Sequence, residues 1–258
     1  MDLDRKALEL KDAKVSFCLA TVVEVAGSAP RHAGAKMLVT KDESFGTVGG
    51  GGLEHRVIND ARRAIRHRNS ELKQYLLTEE GIQPCGGTVG IFLDVVSTPY
   101  SVIVFGAGHI AYDLCPLLAK QGFEVTLVDE RKERIELEAF KDLNKLINQL
   151  PLDVLPTIEF TDDTHIVCIT HRHVHDKDIV RFCLDKPFKY LGLISSTKKW
   201  EVFKKHYISE GYTHEHLSRV STPIGLDIGA ETPFEIAVAI IAQIIKLHAK
   251  GYFTKERS

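Results

Sequence analysis

The sequence predicts an α/β protein in two domains: an N-terminal α+β domain over residues 1–98 and a doubly wound parallel-sheet domain over residues 99–258. Three observations lead there. In the second half, short apolar runs alternate with amphipathic stretches, the pattern of parallel strands joined by crossover helices. The first half instead holds strand-like runs separated by glycine- and proline-rich turns. Between them "STPY" is a natural linker, which places the boundary near residues 97–100.

Taken in order, a helical turn or two at the N-terminus leads into "VSFCLATVVEVAGSAP", a β-branched strand closed by Gly, Ser and Pro. "AKMLVT" is a second strand beyond the turn "RHAG", and "FGTVGG" is the candidate third. Leu53, Val57, Ile58, Ala61 and Ile65 then lie on one face of a helix that starts where the glycines stop. "KQYLLTEE" and "TVGIFLDVV" alternate as strands around the turn "GIQPCGG". In the second half, strands at 101–105, 124–129, 165–170 and 190–195 are separated by helices at 108–121, 131–149 (a charged stretch), 176–185 and around 198–210. A last helix at 233–249 carries "FEIAVAIIAQIIKL" and is apolar over much of its surface. Such a helix is buried on more than one side, against the first domain or against a second copy of the chain, so a homodimer is an expectation.

Composition narrows the function. With 258 residues and 44% hydrophobic composition, the chain buries one large core or two modest ones. A net charge of −2, from 33 basic and 35 acidic residues well mixed, offers no field to gather nucleic acid or an anionic membrane. The charged N-terminus and the lack of any long apolar run predict a soluble, non-exported protein. Five cysteines, scattered singly without CxxC spacing, argue against disulfides or structural zinc and for a reducing cytoplasm.

Gly106, Gly108 and Ala111 form G-x-G-x-x-A directly after the strand "VIVF" and at the head of a helix. Glycine there permits the tight turn and the approach of a phosphate to the helix N-terminus, and the small Ala111 lets helix and strand touch. Asp129 ends the next strand, "EVTLVD", where a carboxylate can accept hydrogen bonds from a ribose diol. Strand, motif, helix, strand and acid in this order make the second domain Rossmann-like. On this evidence alone the ligand is NAD(P) or another nucleotide, and an NAD(P)-dependent oxidoreductase of small molecules is one reading. His109, inside the motif, is a solvent-facing first-turn residue or a base.

Four further segments carry chemistry. "GTVGGGGLE" (46–54) exposes backbone N–H groups at Gly49, Gly50 and Gly51 and could cradle a phosphate, with Glu54 hydrogen-bonding or closing the cap. "GSAPRHAGAKM" places Arg31, His32 and Lys36 at a turn, where arginine can grip a phosphate with two hydrogen bonds. "PCGG" sets Cys85 in an accessible turn, the one thiol suited to a soft metal or to sulfur transfer. "THRHVHD" puts His171, His173 and His175 beyond a strand end, where an extended loop would aim three imidazoles to one side; a loop lining the cofactor crevice is the alternative.

Together these segments resemble the XdhC/CoxI family of xanthine dehydrogenase accessory factors. The match runs over nearly the whole chain: "GSAPRHAGAKMLV", "GTVGGGGLE", "CGGTVGIFLD", "VIVFGAGHIA", "VTLVDER", "THRHVHD", "LGLISSTKK" and "PIGLDIGAETPFEIAVAIIAQI". The resemblance implies a family-specific N-terminal domain followed by a Rossmann domain. It implies a non-enzymatic accessory protein or chaperone that binds molybdenum cofactor (molybdopterin), assists its sulfuration by a cysteine desulfurase, and inserts it into xanthine dehydrogenase or a related molybdoenzyme. By the same resemblance Cys85 contacts the cofactor and its metal, while the glycine loop and the Rossmann motif line the site. Gly52 stands where some members have cysteine, "PCGG" where some have a doubled cysteine, and Ser195 and Thr197 where glycine and arginine are common. These departures bear on which client enzyme is served.

Overall fold

The computed structural model describes residues 2–77 and 86–248. The chain divides into two compact units, Met1–Thr98 and Pro99–Ser258.

In the first unit, β1 (Phe17–Ala26), β2 (Lys36–Val39), β3 (Ser44–Gly46), β4 (Glu71–Leu76) and β5 (Thr88–Val96) form an antiparallel sheet in the order β3-β2-β1-β5-β4. Helix α1 (Leu3–Asp12) precedes it, capped by the Asp2 carboxylate, and α2 (Gly51–His67) joins β3 to β4. The apolar stripe read from the sequence is what α2 buries. Leu53, Val57, Ala61 and Ala64 join Cys18, Ala20, Met37 and Ile91 in one core. A fully buried Leu or Val contributes about 1.5–3 kcal/mol over an exposed one, so this stripe holds α2 to the sheet. The helix starts at Gly51, inside the glycine run rather than after it. First-turn N–H groups need no partner within the helix, so glycines can serve there.

The second unit is built on a six-stranded parallel sheet, order β11-β10-β9-β6-β7-β8, from β6 (Ser101–Phe105), β7 (Glu124–Val128), β8 (Lys145–Ile147), β9 (His165–Cys168), β10 (Tyr190–Leu193) and β11 (Val220–Ser221). Strands β6, β9 and β10 are almost wholly buried, as expected of a sheet covered on both faces. Its helices are α3 (His109–Lys120), the short α4 (Lys132–Ile135) and α5 (Pro151–Val154), then α6 (His173–Leu184), α7 (Thr197–Ser209), α8 (His214–Ser218) and α9 (Pro233–His248). Chain order runs outward from β6 to β8, then returns to β9 beside β6, so the sheet has its switch point between β6 and β9.

Two expectations are corrected here. The charged stretch 131–149 is not one helix; it is α4, a single 3-10 turn at Glu138–Phe140, and the edge strand β8. Side chains pin that strand: Asn144 accepts from the Val125 N–H at 2.8 Å and Asn148 donates to the Asp129 carbonyl at 3.0 Å. The second correction is that α6 begins at His173, so the three histidines do not line up along an extended loop.

Helix α9 packs on α3 through Ala237, Ile240 and Ile244, which share a core with Leu114 and Leu118. Its Gln243 accepts from the Tyr190 hydroxyl at 2.5 Å and from the Gly225 N–H at 2.9 Å, tying β10 and the segment after β11 to the helix. Phe234, Ile245 and Leu247 of α9 remain exposed. Among the described residues no helix is long and apolar enough to cross a membrane.

Candidate functional site

Strand β6 ends at Phe105, and the chain turns through Gly106 at φ +109°. A Cβ at Gly106 would lie 2.5 Å from the Ile169 carbonyl oxygen and 2.8 Å from the Thr170 Cα. Both the dihedral and the closeness of the segment after β9 therefore require glycine at this position. Gly108, the N-cap of α3, differs. Its φ of −83° suits any residue, and a Cβ there would meet nothing within 4 Å. No side chain caps α3, so the positive end of a 12-residue helix faces that open space. Ala111, fully buried, sets α3 against the sheet. His109 is exposed, its Nε2 accepting weakly from Arg134 at 3.4 Å.

Asp129 lies beside this turn, 1% exposed, and its carboxylate is engaged within the chain. It accepts from the Ala107 N–H (2.7 Å), the Arg131 N–H (2.9 Å), Arg131 Nε (2.9 Å) and Arg131 Nη2 (2.7 Å). Burial favours the neutral acid, but the Arg131 side chain and the two backbone donors outweigh it and hold the pKa below the usual value. A carboxylate offers about four lone-pair sites. All are filled, so Asp129 does not stand ready for a ribose diol as expected; Arg131 has taken that place.

The next residue is the opposite case. Glu130 Oε1 is buried without a hydrogen-bond partner, and His171 Nε2 stands 3.6 Å from it. His175 Nδ1, on the first turn of α6, is also buried and unpartnered, with its ring 6.5 Å from that of His171. Behind them Asp176, 0% exposed, accepts from Thr170 Oγ1 at 2.6 Å and forms an ion pair with Lys199 at 3.2 Å. That pair ties α6 and α7 to the segment after β9. A groove of about 450 Å³ opens past the carboxyl ends of β10 and β11, lined by Ile194, Ser195, Gly225, Asp227, Ile236 and Ala239 among others.

Within the first unit, three glycine-bearing segments converge. A Cβ on Gly49 would sit 2.6 Å from Pro30, while Gly86 bridges Ser28, and a Cβ on Gly87 would strike the Ser28 carbonyl oxygen at 2.3 Å. The glycine loop closes on the chain's own anion. Thr47 Oγ1 and the Gly50 N–H (2.9 Å) both donate to Glu54. Burial raises the Glu54 pKa, but the bonds from Thr47 and from the Gly50, Gly49 and Val48 amides bring it below the usual value. A carboxylate thus occupies the cradle at Gly49 and Gly50 that was expected to receive a phosphate, and Gly51 opens α2. Arg31 and His32 are exposed. Cys85 lies outside the described residues. Cys18, Cys115, Cys168 and Cys183 are buried, and burial raises all four thiol pKa values, those of Cys18 and Cys183 to about 12.

Comparison with known proteins covers both units. The family model described as the XdhC Rossmann domain matches residues 102–244, and that of the XdhC and CoxI family matches residues 10–76. The chain belongs to the XdhC/CoxI family. This XdhC-family chain is 29% identical over 253 residues to the uncharacterized protein YqeB of Escherichia coli K12, covering 96% of the chain and 46% of YqeB. It is 31% identical over 159 residues to a probable xanthine dehydrogenase component of Bacillus subtilis, covering 62% of the chain and 46% of that protein. The chain therefore spans just under half the length of these curated relatives. Its fold also resembles a crystal structure described as a xanthine dehydrogenase from Bacillus halodurans, with a TM-score of 0.53, 21% identity and 96% coverage of both chains.

In the XdhC-family chain, sequence reasoning singled out the glycines, Asp129 and His171 but passed over Glu130, Arg131 and Lys199. An arginine two positions after the strand-end acid was the available sign of the Asp129 clasp. Lys199 carried no sign, because only the folded arrangement of α6 and α7 brings it to Asp176.

Proposed function

We propose that this chain is a non-enzymatic carrier of molybdenum cofactor that serves the maturation of a xanthine dehydrogenase or a related molybdoenzyme. Family membership and the names of the relatives support the link to such an enzyme. The observation that carries the binding reading is Gly108. Neither backbone strain nor packing requires glycine there, yet its missing side chain leaves space in front of an uncapped helix N-terminus. That is where the phosphate of a pterin phosphate would be held. Strand β10 is two strands from β6, about 10 Å at the usual strand spacing, so the groove beyond it would take the ring system of the same ligand.

The cofactor is cargo, and the chain's residues hold and shield it. Gly108 and the first turn of α3 bind phosphate, and the walls after β10 and β11 exclude water. Cys85 supplies the soft thiolate that the metal end calls for, since the other cysteines are buried. While held, the cofactor is sulfurated by a cysteine desulfurase and then passed to its client. The dinucleotide oxidoreductase reading has less support, because the Asp129 carboxylate is already filled by Ala107 and Arg131.

The test is molybdenum content by mass spectrometry after anaerobic incubation with released cofactor and gel filtration. Wild type, Gly108→Ser and Cys85→Ala are compared, and NAD(P) is titrated calorimetrically in parallel. Near-stoichiometric molybdenum that falls in both variants is expected. No molybdenum in the wild type, together with saturable NAD(P) heat, would reverse the choice.

A further inference from the structure

We propose that Glu130 and His171, with Asp129, form a site for a divalent transition metal at the carboxyl edge of the parallel sheet. These three side chains each present a ligand atom, and the atoms lie within 4.8 Å of one another. They come from the ends of β7 and β9, the two strands that flank β6. The cluster therefore straddles the glycine turn and owes nothing to the cysteines.

The geometry between Glu130 and His171 is what singles the cluster out. At 3.6 Å, Oε1 and Nε2 are too far apart for a hydrogen bond. Two ligands about 2.1 Å from a shared ion at a tetrahedral angle would lie about 3.4 Å apart, close to the observed separation. Glu130 Oε1 is also buried with no hydrogen-bond partner, although buried polar atoms in folded proteins nearly always have one. A cation would supply it. Asp129 lies at the same place but is clasped by Arg131, whose side chain is 24% exposed and has room to swing out. Asp129 would therefore enter the site by exchanging the guanidinium for the metal, while Glu130 and His171 are already open. Two carboxylate oxygens and one imidazole nitrogen suit a borderline ion such as zinc or cobalt better than magnesium or calcium, which favour oxygen alone.

The test uses tag-free full-length chain stripped with a chelator and titrated with Co2+, followed by visible absorption and by calorimetry. The expected result is one saturable Co2+ per chain with ligand-field bands. Binding should be at least about tenfold weaker in Glu130→Gln and in His171→Ala, with far-UV circular dichroism unchanged. A wild type that takes up no Co2+ would overturn the site, as would variants that bind Co2+ as the wild type does. Because the probe is the ion alone, the result stands apart from whether molybdenum cofactor binds.

Discussion

The two motif glycines separate structure from function by opposite responses to a side chain. Gly106→Ala places a methyl 2.5 Å from the Ile169 carbonyl oxygen and 2.8 Å from the Thr170 Cα, at φ +109°. The strained dihedral costs about 1–3 kcal/mol. Overpacking against backbone adds about 1–3 kcal/mol more. A total of about 4 kcal/mol corresponds to a fall in melting temperature of roughly 8–16 °C for a domain of this size. Gly108→Ser meets no atom within 4 Å and adopts an ordinary N-cap conformation. Serine caps better than glycine by a few tenths of a kcal/mol, so this variant should melt no lower than the wild type. Its hydroxymethyl group fills the phosphate space, however, and loss of one charge-assisted hydrogen bond, about 1.5–3 kcal/mol, weakens ligand retention by roughly 10- to 100-fold. Thermal melts and molybdenum retention on the same preparations check both halves. Two results would refute the reasoning: a Gly108→Ser variant as unstable as Gly106→Ala, or a stable one that retains molybdenum as the wild type does.

Three other outcomes are expected. His165 is buried, donates from Nδ1 to the Ser101 carbonyl at 3.2 Å and meets His248 at 2.8 Å; burial, then His248, push its pKa down to about 4. The folded value lies below the unfolded one, so stability is complete above about pH 6.5 and is lost toward pH 4, by up to about 1.4 kcal/mol per pH unit. Melting temperatures over that range should show the slope in the wild type and a flatter one in His165→Gln. Lys199→Met removes the ammonium 3.2 Å from buried Asp176 and should lower stability by about 3–5 kcal/mol, read as an earlier urea midpoint. In a native thiol titration the four buried cysteines should not react, and any fast thiol should vanish in Cys85→Ser.

The β6-α3-β7 segment was legible because local chemistry fixes it: glycines at a tight turn, a small residue at the helix–strand contact, and an acid at the strand end. Where tertiary partners decide, the sequence misled. Lys132 to Glu138 carry charges spaced as on a helix, yet β8 is a three-residue edge strand held by Asn144 and Asn148. Arg172, the N-cap of α6, has no side-chain cap and gave no start signal, so His173 read as loop. Strand β11 has two residues, too few for a period to show. The site followed the same division. Asp129 was visible as a strand-end acid, while its clasp by Arg131 depends on how the chain turns after β7. The glycine loop was visible as a cradle with Glu54 at its edge, but that Glu54 fills it is a matter of fold.

The place of β6 at the centre of its sheet also has a consequence in time. Ser101 pairs with Glu124, close along the chain, whereas Val102 must wait for His165. Contacts near in sequence close faster than distant ones, so β6, α3 and β7 can assemble first, bringing Asp129 to Ala107. Ile169 and Thr170, which wall the turn at Gly106, arrive with β9. A chain leaving the ribosome would thus build the phosphate-facing turn before its far wall, and capture of an anion at α3 could precede completion of the sheet.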